Sequence, residues 1–289
     1  MDIGKCVVKA RPGVLGGVAE EKRPLRERVA LPVKRRIFIN RDSHPEADVY
    51  VAIHEAENLP AEVPDYQVPH CHNTDEFYFF VGNGPGLTGL AGQIKFEGRA
   101  HRISSPATVY IPAGTVHEYK VVEGAGYVVV LFRSRGYTHI DREPDLDAGA
   151  REAERFARYV FPPEIRATSE IRAHRDSAPG TRYVFVDEEI RPEAAFYTAV
   201  RDVSDLEATQ TGYVDRHTHN CDTYHITVGA GENLTGLRTE FVIGDQKTVV
   251  DSPVAVHVPA GVPHSQRLIG GSGQFFNFVP RGAYNRSLV

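Results

Sequence analysis

Short runs of branched and aromatic residues, each closed by Gly, Pro, Asn or Asp, recur along most of this chain. Asp48-Val49-Tyr50-Val51-Ala52-Ile53, Glu76-Phe77-Tyr78-Phe79-Phe80-Val81 and Thr108-Val109-Tyr110-Ile111 are three of them. Phe196-Tyr197-Thr198-Ala199-Val200, Ala255-Val256-His257-Val258 and Gln274-Phe275-Phe276-Asn277-Phe278-Val279 are three more. Runs of this length, rich in residues that fill a pleated surface and punctuated by turn formers, predict strands. Many short strands with little helix predict a sandwich or small barrel. One segment differs. From Asp145 to Tyr159, Leu146, Ala150, Ala153, Phe156 and Ala157 recur near helical spacing, Asp145 can cap the start, and Pro162-Pro163 stops the run. This predicts a helix that connects two domains.

The strand pattern occurs twice. An offset of 147 residues places His70-Cys71-His72-Asn73-Thr74-Asp75-Glu76 on His217-Thr218-His219-Asn220-Cys221-Asp222-Thr223. The same offset matches Gly82 with Gly229, Leu87-Thr88-Gly89-Leu90 with Leu234-Thr235-Gly236-Leu237, and Ser105-Pro106 with Ser252-Pro253. It also matches Pro112-Ala113-Gly114 with Pro259-Ala260-Gly261 and His117 with His264, running gapless from Phe38/Phe185 to Tyr137/Tyr284. An internal duplication follows, conserving in step the residue types that ligate metals and make tight turns. The predicted organisation is an arm over residues 1–34, a first domain over 35–140, a helical linker over 141–181 and a second domain over 182–289. The arm, with Glu20-Glu21-Lys22-Arg23-Pro24 and Lys34-Arg35-Arg36, reads either as solvated chain or as a strand lying on the other domain or on a second subunit.

Composition narrows the function classes. The 289 residues carry a formal net charge of −5 with a pI near 6.2. No broad basic field is present to attract nucleic acid. The longest apolar runs, such as Gly126 to Phe132, are too short to cross a bilayer, and Met1 to Arg11 has no apolar leader core. Cys6, Cys71 and Cys221 form no CxxC pair and read as reduced thiols, so a cytoplasmic location is expected.

The candidate chemistry lies in the repeated histidines. On a strand, His70, His72 and Glu76 share a parity and can face one interior; His117 follows the Pro112-Ala113-Gly114 turn. Three imidazoles and a carboxylate suit Fe(II), Mn(II), Ni(II), Cu(II) or Zn(II) and leave coordination positions open. His70-x-His72-x3-Glu76-x5-Gly82 and Pro112-x-Gly114-x2-His117 resemble the two motifs of the cupin superfamily, and the second half repeats both. The resemblance implies a bicupin: two tandem all-β, double-stranded β-helix (jelly-roll) barrels. It implies one divalent metal on His70, His72, Glu76 and His117, with iron expected first.

The second copy departs from the motif because Thr223 stands where the carboxylate is expected. His217, His219 and His264 are candidates for a second, three-histidine metal site; Asp222 could swing in, or the site is vestigial. His225, aligned with Tyr78, is a further candidate ligand or hydrogen-bonding neighbour. In the first barrel, parity points Tyr78, Phe80 and Tyr119 inward, and Tyr78 and Tyr119 are the candidate catalytic residues for orienting a substrate. The alternative is that these rings simply fill the barrel. Gly82-Asn83-Gly84-Pro85-Gly86 lacks the Lys-Ser/Thr of a phosphate-binding loop and reads as a hairpin turn.

The expected activity is that of an Fe(II)-type dioxygenase using O2 on a small oxygenated or aromatic metabolite. The alternative is redox-neutral isomerisation, decarboxylation or dehydration of a small acid. A non-catalytic ligand binder is the reading from another class, and the lack of a basic helical DNA-binding module weighs against its sensor form. A homodimer is expected from the resemblance.

Overall fold

Alternating backbone pairing carries the chain through two separate β units, which the computed structural model describes over residues 2–13, 31–207 and 212–289. The charged run Glu20 to Pro24 lies outside these residues. One unit comprises Arg11–Pro162; the other comprises Pro163–Val289 together with the residues up to Ala10.

In the Arg11–Pro162 unit, a seven-stranded antiparallel sheet runs in the order Val160–Phe161, Ala107–Ile111, Glu76–Gly82, Gly126–Phe132, Tyr50–Ala56, Val33–Ile39, Arg11–Gly13. A five-stranded sheet contains Ile140–Asp141, His70–Cys71, His117–Gly124, Leu90–Phe96 and Arg99–Ser104. Every residue of Tyr50–Ala56, Glu76–Gly82 and Gly126–Phe132 is buried, the polar His54, Glu55 and Glu76 included. The other unit repeats the plan with Tyr197–Leu206, Thr223–Gly229, Leu237–Ile243, Gln246–Asp251, Val254–Val258 and the long His264–Val279 in one nine-stranded sheet. Its core gathers Leu237, Phe241, Val256 and Leu268. The strands expected from the sequence are present in both units, and the architecture is all-β.

Two glycine positions explain why the repeat keeps its turns in step. A Cβ on Gly82 would sit 2.0 Å from the Thr88 carbonyl oxygen, and one on Gly229 would sit 1.9 Å from that of Thr235. The backbone folds back on itself there, through short 3-10 turns at Pro85–Leu87 and Glu232–Leu234, as expected of a turn rather than a phosphate loop. Gly114 and Gly261 hold φ of +81° and +77°, the left-handed conformation that lets the chain reverse before the strands carrying His117 and His264.

Two expectations are revised. The helical segment is broken at Glu152 into Leu146–Arg151 and Ala153–Ala157. Asp145 does cap it, its carboxylate accepting from the Ala148 N–H at 2.9 Å. Rather than standing apart as a linker, the segment lays Phe156 against Phe96 with ring centroids 5.5 Å apart, so the chain through Pro162 belongs to the first barrel. Leu146, expected on the apolar face, is exposed. The arm is not wholly solvated either: Val7–Lys9 pairs antiparallel with Val254–Val256, at the edge of the second barrel. Arg11–Gly13 pairs with Arg35–Ile37 of the first. Cys6, Cys71 and Cys221 are all buried. No helix among the described residues is long and apolar enough to cross a membrane.

Gly82→Ala and Gly229→Ala are each expected to cost about 2–4 kcal/mol of stability, because the methyl group must displace backbone rather than a mobile side chain. Thermal unfolding checks this; a change below about 0.5 kcal/mol in either variant would remove the close approach as the reason for glycine.

Candidate metal centre

The cluster begins with a backbone pairing. His70 and His117 are directly opposed in the five-stranded sheet, so the ladder itself sets their side chains side by side. His72 lies just past the end of the short His70–Cys71 strand, and Glu76 opens a strand of the other sheet. His70, His72 and Glu76, expected on one ribbon, do not share a strand. Instead Asn73 to Asp75 bend the chain from one sheet to the other, and convergence comes from that crossing. The ligand nitrogens of His70, His72 and His117 all lie within 4.8 Å of one another. Glu76 Oε2 is 2.8 Å from His117 Nε2 and 3.3 Å from His72 Nε2.

Each imidazole is held by its other nitrogen. His70 Nδ1 meets the Val68 carbonyl at 2.9 Å, His117 Nδ1 meets that of Thr115 at 3.0 Å, and His72 Nδ1 meets that of Thr138. A carbonyl can only accept, so Nδ1 carries the proton and Nε2 presents its lone pair inward. Burial, with the neighbouring imidazoles, pushes the His70 pKa well below its ordinary value; burial also lowers His72. Burial alone would raise the Glu76 carboxyl, but His72 and His117 outweigh it and hold it well below the usual carboxylate range. The Nε2 lone pairs set by those tethers therefore face the ionised carboxylate of Glu76. His72 Nε2, His117 Nε2 and Glu76 Oε2 are buried without a hydrogen-bond partner. Acceptors crowded this closely are satisfied by a shared cation, and the donor set fits a divalent transition metal.

The second barrel builds the same triad. His217 and His264 exchange two backbone hydrogen bonds, of 3.0 and 2.8 Å, and their ligand nitrogens lie with that of His219 within 4.8 Å of one another. Nδ1 of His217 faces the Asp215 carbonyl at 2.8 Å and that of His264 faces Val262 at 3.1 Å. His219 Nδ1 instead meets Ser287 Oγ at 2.6 Å, and that hydroxyl donates to the Tyr284 carbonyl. Burial depresses His219 and His264 to about 3, so this triad too is neutral and can hold a metal.

The differences are specific. Thr223 replaces the carboxylate, its hydroxyl buried and without a partner. Asp222 does not swing in. Its carboxylate accepts from the Ala260 N–H at 2.8 Å and meets His257 Nε2 at 2.9 Å, clamping the Pro259-Ala260-Gly261 turn as Asp75 clamps Ala113 at 3.0 Å. The Tyr284 hydroxyl lies 2.9 Å from His217 Nε2, against 3.4 Å for Tyr137 and His70 Nε2. His225 lies outside the triad, its ring stacked on Phe275 at 5.4 Å and 5.9 Å from that of His264.

Beside Glu76 lies a small cavity that reaches Arg35, His54, Tyr66, Gln67, Tyr78, Tyr119 and Tyr137. Tyr78 and Tyr119 therefore do line the space next to the cluster, while Phe80 is buried with its ring against Gly92. Burial, reinforced for Tyr78 by the Glu76 charge and for Tyr119 by Tyr66, raises both phenols well above their ordinary values. Both keep their protons at neutral pH. Tyr119 hydrogen-bonds His54 Nδ1, whose imidazole burial keeps neutral. His54, Arg35 and Tyr137 escaped the sequence reading. Tyr137 had a signal, since it closes the matched register with Tyr284; His54 had none, because its counterpart in the repeat is Arg201.

No protein-family model matches the sequence, and a search of curated proteins finds no relative. Solved structures do superpose. One oxalate decarboxylase, described for its substrate binding mode and a switch in reaction specificity, aligns with a TM-score of 0.57 and 13% identity, over 90% of this chain and 76% of its own. An arginine-to-alanine variant of the Bacillus subtilis oxalate decarboxylase gives the same four values. A tryptophan-to-phenylalanine variant of the B. subtilis enzyme gives 0.56 and 12% over the same shares of the two chains. At that identity the likeness speaks for the fold. The chain shares the two-barrel fold of these oxalate decarboxylases, and each barrel gathers its three histidines at the positions that the repeated motifs led one to expect.

Proposed function

We propose that this protein is a metal-dependent enzyme that carries out redox-neutral chemistry on a small organic acid in its first barrel, with decarboxylation the leading reaction. The observation that carries the reading is the buried convergence of His70, His72, Glu76 and His117 beside a cavity holding a guanidinium and several protonated phenols. Bound by those four side chains, a divalent transition metal supplies Lewis acidity toward the oxygens of the substrate. Arg35, which donates to the Tyr50 hydroxyl at 3.0 Å, brings positive charge to the same cavity and favours an acid over a neutral ligand. Loss of carbon dioxide leaves an electron pair on the adjacent carbon that one proton must neutralise. The proton held between Tyr119 Oη and His54 Nδ1 is placed for that transfer, and Tyr78 Oη orients the acid beside Glu76.

This preference reverses the order expected from the sequence, where a dioxygenase came first. Four protein ligands are compatible with either chemistry. The charged, hydrogen-bonding cavity favours an acid, and the superposed oxalate decarboxylases favour bond cleavage without net oxidation. The deciding experiment follows carbon dioxide release and O2 uptake together across a panel of small dicarboxylic and keto acids. Release that is unchanged under nitrogen supports the proposal. Uptake of one O2 per turnover would return the dioxygenase reading, and no turnover of any acid by the metal-loaded protein would end the enzymatic one.

Glu76→Gln is expected to weaken the first site by more than about tenfold and to abolish turnover, read by metal analysis after dialysis against a chelator. Ser287→Ala, which removes the acceptor of His219 Nδ1, is expected to weaken only the second triad, by about 10–100-fold, and to leave turnover unchanged. Tyr119→Phe should lower turnover by about 10²–10³-fold with metal content unaltered and the fold retained by circular dichroism. Full activity in Tyr119→Phe would remove that phenol from the reaction.

A further inference from the structure

The second barrel has its own cavity, lined in part by His174, whose ring lies 5.4 Å from that of His217 in the triad, and its electrostatics differ from the first. Arg182 and Arg201 are directly opposed on neighbouring strands, and both line this space. Both are more than nine-tenths buried. The matching pair in the first barrel is Arg35 opposite His54, a single fixed charge. Like charges directly opposed on a sheet destabilise it, and burial adds the cost of desolvating both.

Neutral acceptors hold the two guanidiniums. Arg182 donates to the Ala167 carbonyl at 2.7 Å and the Tyr197 hydroxyl at 3.0 Å; Arg201 donates to the Pro179 carbonyl at 2.9 Å and to Thr168 Oγ1 at 2.7 Å. These bonds orient the pair and cancel none of its charge. Among the described residues, the carboxylates acting on it are Glu170, 3.9 Å from Arg182 and half exposed, and the exposed Asp176. Arg182 Nε is buried without a partner. So are Gln266 Oε1 and Asn277 Oδ1, on two further residues that line the same cavity. The amides stand where the first barrel has Tyr119 and Val130. A packed core does not leave this many polar groups unmet; a ligand site does.

We propose that the second barrel is a binding site for a small organic carboxylate, whose anionic group is held by Arg182 and Arg201 and whose remaining polar atoms face Gln266 and Asn277. Two guanidiniums with planar donor faces match a carboxylate in charge and geometry. The site is independent of the reaction proposed for the first barrel, since it rests on residues of the second alone.

The test is titration calorimetry of the full chain carrying Glu76→Gln and Arg35→Gln, which removes the first cavity as a competing acid binder. The probes are malonate, malate and inorganic phosphate. One carboxylate site per chain is expected to remain, and Arg201→Gln added to that background should weaken it by at least about tenfold. Asn277→Asp serves as the isosteric control: it keeps the packing while placing a negative charge in the cavity, so it should also weaken binding by at least tenfold, with circular dichroism confirming the fold. Should Arg201→Gln fail to fold, Asn277→Asp decides alone. Binding that neither variant alters, no carboxylate binding at millimolar concentration, or tighter binding of phosphate than of either acid would each overturn the proposal.

Discussion

The pairing of one backbone ladder across two histidines underlies the rest of the site. His70 against His117, and His217 against His264, are adjacent because their main chains are hydrogen-bonded partners, so neither imidazole needs its own loop to reach the other. A slip of one residue would turn both side chains to the opposite face and dismantle the cluster. The turns before His117 and His264 protect that register. Gly114 and Gly261 supply the left-handed conformation, and the carboxylates of Asp75 and Asp222 hold the neighbouring amides. Register, turn and clamp form one device, present in both barrels.

On that common frame the two interiors have diverged through a few side chains. The first keeps Glu76, phenols and His54; the second has Thr223, amides, His225 and a second arginine. The triads and their Nδ1 tethers are nearly superimposable in kind, which separates the means of holding an ion from the means of choosing what sits beside it. Burial leaves every triad histidine with a resolved shift neutral, so the donors are already in the protonation state a metal requires.

Much of this was legible in the sequence, for a physical reason. A metal cluster needs particular residue types at particular spacings, and a duplication prints them twice; hence His70, His72, Glu76 and His117 and their partial copies could be named beforehand. The missing carboxylate at Thr223 was visible as well. The route by which His72 and Glu76 converge was not, because alternation along a strand says nothing of where a strand ends, and a bend at Asn73 to Asp75 has no hydrophobic signature. The clamp role of Asp75 and Asp222 was hidden behind the resemblance of an acidic residue to a ligand. Arg182 and Arg201 were missed because a charged residue within a strand reads as solvent-facing unless the register of its neighbours is known. The helical segment misled in a different way. Helical spacing groups Leu146 with Phe156, but Phe156 packs on Phe96 while Leu146 is left exposed.

The strand Val7–Lys9 has a consequence for how the molecule is made. It is synthesised before the whole of the Arg11–Pro162 unit, whereas the edge it completes, Val254–Val256, follows that unit. The unit Arg11–Pro162 is contiguous and can close as soon as it is synthesised, whereas the other draws on segments from either side of it. Assembly of the second barrel therefore depends on a contact across a large sequence separation, a demanding kind of loop to close. Once made, that contact covers a row of amides and carbonyls that would otherwise invite pairing with a neighbouring chain.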